Sequence, residues 1–159
     1  MMMTEENQMR ISRDEMYLRI AEIVALRGTC NRLRVGAIIV NNNCIVAEGY
    51  NGAPSHQPHC IDVGCKINME GHCIRTVHAE LNAILKAAKY GHKVENGTMY
   101  CSHSPCNVCA AAIVNAGIRR LIYRRDFRDL FPLDFLRGAG VVVVKKEDQE
   151  ENLYELLSL

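Results

Sequence analysis

The chain alternates between two hydrophobic periods. Ser12-Arg13-Asp14-Glu15 has the form of a capping box, and Tyr17, Ile20, Ala21 and Val24 follow at helical spacing before Gly28. This predicts a first helix over 13–27. Val35–Val40 is a short apolar run, Asn41-Asn42-Asn43 marks a turn, and Cys44–Glu48 continues as a second strand, which together predict a hairpin. From Gly49 to Arg75 periodicity is lost. A structureless stretch of that length inside a compact domain requires something to order it, and its Cys and His content points to a metal.

Beyond the loop the pattern resumes. His78–Tyr90 carries Leu81, Ile84, Leu85 and Ala88 on one side and is stopped by Gly91. Thr98–Ser102 reads as a strand, Pro105–Asn115 as a helix opened by proline and closed by Gly117, and Leu121–Tyr123 as a strand. Asp129–Arg137 reads as a helix and Val141–Val144 as a last strand, and the tail with Leu153, Leu156 and Leu157 suits a short amphipathic helix. The order α-β-β-α-β-α-β-α-β implies a three-layer α/β/α fold with a mixed five-stranded sheet. No repeat or linker divides the chain, so residues 1–159 read as a single domain with a core over about 12–145 and a Cys/His-rich loop over 52–75.

Composition narrows the function classes. The chain has 159 residues, 48% of them hydrophobic, and a formal net charge of +1. That balance argues against a duplex nucleic-acid partner, which would call for a basic stripe, and leaves room for a small anionic ligand. There is no tryptophan to help stack single strands. The N-terminus lacks the apolar core of a secretory signal, and no window approaches the roughly 18 apolar residues of a membrane span. A cytoplasmic location is expected, where eight cysteines read as ligands or reactive groups and not as disulfides. Cys44 and Cys101 fall on strands and read as small core residues.

The chemistry concentrates in two segments. Cys106 and Cys109 stand three apart at a predicted helix start, where both sulfurs point one way and the helix dipole favours thiolates. His78 opens the neighbouring predicted helix and completes a three-ligand zinc site with a place left for water. Glu80 lies beside the metal without being needed as a ligand. The His-x-Glu and Pro-Cys-x-x-Cys pair is the zinc-deaminase signature, in which zinc-bound hydroxide attacks the aminated ring carbon and the glutamate shuttles protons. A closed structural zinc is the competing reading. It gives no use for a carboxylate beside the histidine.

His78-Ala79-Glu80-Leu81-Asn82-Ala83-Ile84 and Ser104-Pro105-Cys106-Asn107-Val108-Cys109 resemble the cytidine deaminase superfamily. Val35-Gly36-Ala37, Gly49-Tyr50-Asn51-Gly52-Ala53-Pro54 and Ala116-Gly117-Ile118 resemble its deoxycytidylate (dCMP) deaminase branch. His59-Cys60-Ile61-Asp62 and His72-Cys73-Ile74-Arg75-Thr76 resemble segments of the bacterial competence-operon dCMP deaminase-like proteins. The resemblance implies hydrolysis of dCMP to dUMP and ammonia. Asn51 would contact the sugar, the backbone at Ala79 would hold the pyrimidine edge, and Arg34, or else Arg32, would meet the phosphate. It also implies a homo-oligomer, commonly a hexamer. Ser55-His56 stands where allosteric members carry glycine, so regulation by dCTP and dTTP is not implied.

Some relatives in this branch bind a second, structural zinc through cysteines resembling Cys30 and Cys60. Cys65 and Cys73 would complete four ligands, with His72 replacing Cys65 as the alternative. Other functions consistent with the motifs are deamination of a free base, a tRNA adenosine or a DNA cytosine, and a catalytically idle zinc module.

Overall fold

A computed structural model describes residues 10–148. The expected amphipathic helix in the C-terminal tail lies outside the described residues. The elements run α1 (Arg13–Ala25), β1 (Gly36–Asn41), β2 (Cys44–Tyr50), the single turn α2 (Cys60–Val63), α3 (Ala79–Tyr90), β3 (Thr98–His103), α4 (Asn107–Asn115), β4 (Arg120–Arg125), α5 (Phe131–Gly138) and β5 (Val142–Lys145). The five strands form one sheet in the order β2-β1-β3-β4-β5. β1 runs antiparallel to both its neighbours, while β3, β4 and β5 are parallel. The mixed α/β/α expectation is met.

Local chemistry accounts for the hairpin. Asn42 and Asn43 take φ of 49° and 61°, the paired left-handed values that let a two-residue turn match the strands' twist. Along β1, Ala37 and Ile39 face one side of the sheet, and Ile38 and Val40 face the other. The first pair packs in the core under α3, α4 and α5 with Ala83, Ala110, Ile113 and Leu136. The second pair meets Leu18 and Ala21 of α1. Among the described residues one helix therefore covers one face and three cover the other. Cys101 is fully buried as expected, but Cys44 is exposed, because it opens β2 directly after the turn and lies beyond the reach of either covering layer.

Two strand glycines set the helix heights. A methyl group on Gly49 would stand 2.2 Å from the Ala79 carbonyl oxygen and 2.5 Å from the Ala83 nitrogen, so α3 rests backbone-to-backbone on β2. A methyl on Gly36 would meet the Ala21 oxygen at 2.1 Å in the same way under α1. Neither contact leaves room for a side chain.

Only half of the capping box forms. Ser12 Oγ accepts from the Glu15 amide at 3.1 Å. The Glu15 carboxylate turns away to a bidentate pair with Arg124 of β4, at 2.9 and 3.1 Å, with Arg19 adding a third bond at 2.8 Å. Both Glu15 and Arg124 are buried, and the pair fastens α1 across the sheet over 109 positions of sequence. Burial by itself would raise the Glu15 pKa, but the hydrogen bonds from Arg124 and Arg19 outweigh it and hold the carboxyl below its ordinary 4.5.

Because β1 is antiparallel, its beginning lies beside the ends of β2 and β3. The segments before β1, after β2 and after β3 thus converge at one end of the sheet, and the cavity described below opens there.

Two outcomes follow from this packing. Gly49→Ala should destabilise by about 1–3 kcal/mol or more, since overfilling a closed contact forces backbone shifts, whereas Gly138→Ala, with nothing within 4 Å of the added carbon, should be neutral in the same urea titration. For Glu15, a depressed folded pKa gives stabilisation that is complete above about pH 4.5 and is lost as pH falls through the folded value. Unfolding measured between about pH 3 and 6 should show that loss in the native chain and a flatter profile in Glu15→Gln.

Candidate active site and metal centre

α3 and α4 both begin at this end of the sheet, and each begins with a metal-competent side chain. His78 is the N-cap of α3, and Cys106 is the N-cap of α4, with Cys109 three residues on. The helix expected from Pro105 starts two residues later, at Asn107. As a result Cys106 is the hinge residue between β3's exit loop and α4, and not a member of the first turn. His78 Nδ1 lies 3.3 Å from Cys106 Sγ and 3.6 Å from Cys109 Sγ. Zinc bound at ~2.0 Å to nitrogen and ~2.3 Å to sulfur in a tetrahedron needs ligand atoms about 3.5 Å apart. The three donors fit zinc.

Their protonation supports the same reading. The Cys109 thiol and then the His78 imidazole hold Cys106 far below an ordinary thiol, against the effect of burial. Cys109 is driven upward, first by the neighbouring Cys106 sulfur and then by burial. The Cys106 sulfur raises His78. A buried and a half-buried cysteine and an imidazole are thus sharing protons that a divalent cation would displace.

Glu80 lies on the first turn of α3 and is 3% exposed. Burial pushes its carboxyl up to about 7, with its own backbone amide and His78 favouring the charged form and the Cys106 sulfur opposing it. A carboxyl whose charged and neutral forms are both accessible near neutrality is suited to taking and returning a proton.

His78, Glu80 and Cys106 line a cavity of about 310 Å³, while Cys109 is buried outside its lining. Ala79, expected at the pyrimidine edge, is fully buried in its wall. Asn51, expected at the sugar, also lines it, with its amide already braced: Oδ1 accepts from the Val35 amide at 2.8 Å and Nδ2 donates to the Leu33 carbonyl at 2.7 Å. One lone pair and one N–H remain for a ligand. Arg34, expected at the phosphate, is exposed and lies outside the cavity lining, although its neighbours Leu33 and Val35 face inward. Arg32 does line the cavity.

The lining also includes His103, Phe127 and Arg128, to which sequence reasoning assigned no role at the site. His103 Nδ1 is 3.0 Å from Ser102 Oγ, which also accepts from the Gly36 amide at 3.1 Å. Burial keeps His103 below an ordinary histidine. Phe127 and Arg128 come from the β4–α5 connection, which carries no motif. Only the parallel pairing of β4 beside β3 brings that connection to the cavity.

A second cluster forms the adjacent wall. The Sγ atoms of Cys60, Cys65 and Cys73 lie within 4.8 Å of one another, with Cys60 and Cys73 at 3.6 Å. Burial and the two neighbouring sulfurs push Cys60 up to about 12. Against its own burial, the backbone amides of Arg75 and Lys66 lower Cys73 to about 7. Cys30 is buried, acts electrostatically on Cys65, and lines the main cavity together with Cys73. His72, the alternative ligand, faces that cavity and is outside the three-sulfur cluster.

The loop carrying these cysteines is closed at its base by paired bonds between Gly52 and Val77, at 2.8 and 3.2 Å. It is tied to the α1–β1 segment by Ile61 donating to the Thr29 carbonyl and Asn31 to the Cys60 carbonyl. Among the described residues no helix is long and apolar enough to cross a membrane.

The chain is similar to ComE operon protein 2 of Bacillus subtilis (strain 168), at 39% identity over 142 residues that cover 89% of this chain and 75% of the relative. It is 35% identical over 149 residues to the deoxycytidylate deaminase of Saccharomyces cerevisiae, covering 90% of this chain but 47% of that longer protein. Its fold is similar to the crystal structure of dCMP deaminase from the cyanophage S-TIM5 in complex with dCMP and dUMP. The TM-score is 0.75 at 33% identity, and the match covers 91% of this chain and all of the other. The family model for the cytidine and deoxycytidylate deaminase zinc-binding region matches residues 11–125, which takes in His78, Glu80, Cys106 and Cys109, and the chain belongs to that family.

Proposed function

We propose that the protein hydrolyses dCMP to dUMP and ammonia. The observation that carries this reading is a buried carboxyl, Glu80, set beside a zinc-competent His78–Cys106–Cys109 triad, with Glu80, His78 and Cys106 lining a cavity of about 310 Å³. The relatives named as deoxycytidylate deaminases, and the fold similarity to a dCMP-bound enzyme, support the substrate.

Zinc, when bound, supplies an acidified water and hence a hydroxide nucleophile near neutral pH. The remaining work falls to the chain. Glu80 would carry the two protons of the added water in turn, the first to the ring nitrogen and the second, taken from the added hydroxyl, to the departing amine, so that ammonia leaves as a neutral molecule. Its burial keeps bulk water from competing for those protons. Asn51, braced at two of its polar positions, offers the other two to a sugar hydroxyl, and the open amides at the start of α3 around Ala79 face the pyrimidine edge.

In the same proposal Cys60, Cys65, Cys73 and Cys30 hold a second, structural zinc. Support comes from three clustered sulfurs with a buried fourth acting on Cys65, in a loop that has little other core. A homo-oligomer in the cytoplasm completes the reading. Exposed apolar residues such as Ile23 on α1 and Leu26 at its C-cap, and Phe131 and Phe135 on α5, offer area for a self-interface, which light scattering reads directly.

Glu80→Gln should lower kcat on dCMP by roughly 10²–10⁴-fold with zinc retained, followed by ammonia release and ultraviolet absorbance. Equal turnover by the variant would remove the proton-shuttle role, and turnover of cytosine in place of dCMP would replace the substrate. Metal analysis should give two zinc ions per native chain, and Cys73→Ser should keep about one and lose several degrees of thermal midpoint. A native count of one would leave the cysteine cluster as free thiols.

A further inference from the structure

One side chain in the cavity wall offers a donor that neither the metal chemistry nor the proton transfers use. His103 is the last residue of β3, and its ring lines the cavity with Glu80, Asn51 and Val35. Its Nδ1 lies 3.0 Å from Ser102 Oγ. Ser102 is 2% exposed, and its Oγ also accepts from the Gly36 amide at 3.1 Å.

That pairing fixes the tautomer of the ring. A serine hydroxyl has one hydrogen and two lone pairs. If Oγ accepted from His103 as well as from Gly36, its own hydrogen would be buried with no acceptor among the described residues, a costly arrangement. The serine therefore donates to Nδ1, and the hydrogen of the neutral imidazole sits on Nε2. Burial and then the Arg125 guanidinium hold His103 below an ordinary histidine, with Glu22 opposing, so the ring stays neutral near pH 7. Its Nε2–H has no partner among the described residues.

The bonds around His103 tie it to Asn51. Val35 and Gly36 are consecutive, and their amides are taken by Asn51, which follows β2, and by Ser102 of β3. The two side chains thus grip the entry to β1 from its two neighbouring strands, with Val35 in the lining beside them. Asn51 is closely held: a methyl group on Gly28 would stand 2.7 Å from its Oδ1. In dCMP the one free sugar hydroxyl is at the 3′ position, and it too has one hydrogen and two lone pairs. Asn51 has one lone pair and one N–H to give, which leaves a lone pair of that hydroxyl unfilled.

We infer that His103 donates from Nε2 to the 3′-hydroxyl of the nucleotide, completing the contact begun by Asn51, and that Ser102 is the positioning residue that sets the ring. The inference rests on the deaminase reading of the cavity and makes His103 a residue that selects the sugar. A sugar lacking the 3′-hydroxyl leaves Nε2–H and the Asn51 amide unpaired, which is how a site built around a hydroxyl rejects the analogue without it.

The test compares kcat/KM for dCMP and for 2′,3′-dideoxycytidine 5′-monophosphate in the native chain, His103→Leu, Ser102→Ala and Ser102→Thr. The dCMP-over-dideoxy ratio should fall by about 3- to 10-fold in His103→Leu, the scale of one lost hydrogen bond. Ser102→Ala should move the ratio in the same direction, and Ser102→Thr, which keeps the hydroxyl, should hold it. A smaller fall in His103→Leu overturns the inference, because a merely structural role would lower both substrates together.

Calorimetric binding of dUMP against 2′,3′-dideoxyuridine 5′-monophosphate separates this from the deaminase reading. If the native chain turns over neither cytosine nucleotide, the deaminase reading fails. The sugar contact then stands if native protein prefers dUMP and His103→Leu loses that preference, and it falls if native protein shows no preference or the variant keeps it.

Discussion

The seating of α3 on β2 is the contact on which the candidate centre depends. At Gly49 the sheet presents bare backbone, and the Ala79 carbonyl and Ala83 amide sit where a side chain would otherwise be. The stripe Ala79, Ala83, Ala87 continues the close approach along the helix and is almost wholly buried. With no side chain between the layers, the first turn of α3 has one available height and one available rotation. His78 as its N-cap and Glu80 on its first turn are thereby fixed relative to the end of β3, from which Cys106 emerges. A displacement of even one ångström would open the 3.3 and 3.6 Å separations that match a zinc tetrahedron.

Around that contact the charges are arranged by cost. Glu15 and Arg124 are both buried, yet each answers the other in a bidentate pair, so the desolvation of two ions is offset and α1 is held to β4. Glu80 receives no such partner. Its burial leaves the carboxyl near neutrality between its two forms, the condition a proton carrier requires. The same loss of water is compensated at one carboxylate and only partly offset, by its own backbone amide, His78 and Cys109, at the other.

The Cys/His-rich loop is the complementary case. With little apolar content to bury, it is shaped by hydrogen bonds at its base, by contacts to the α1–β1 segment and by three converging sulfurs. Cys30 and Cys73 face both the sulfur cluster and the cavity, so whatever orders the loop also builds one wall of the site. The centre and the loop are therefore one assembly, even though the residues lie far apart in sequence.

Periodicity, turn residues and the spacing of His78, Glu80, Cys106 and Cys109 were sufficient, by themselves, to establish the layered α/β/α fold, the hairpin and the metal-competent triad. These features are local: a period of two or 3.6, a pair of asparagines, a Cys-x-x-Cys step, each confined to a few residues. The sequence pointed to Cys44 for the core, and the structure shows it exposed, because which way a side chain faces at the edge of an element depends on what packs there. The turn of Glu15 from its capping box toward Arg124, and the arrival of His103, Phe127 and Arg128 at the cavity, depended wholly on tertiary structure. Those contacts join residues from separate elements, and only the antiparallel placing of β1 and the parallel pairing of β3 with β4 bring them within hydrogen-bonding range.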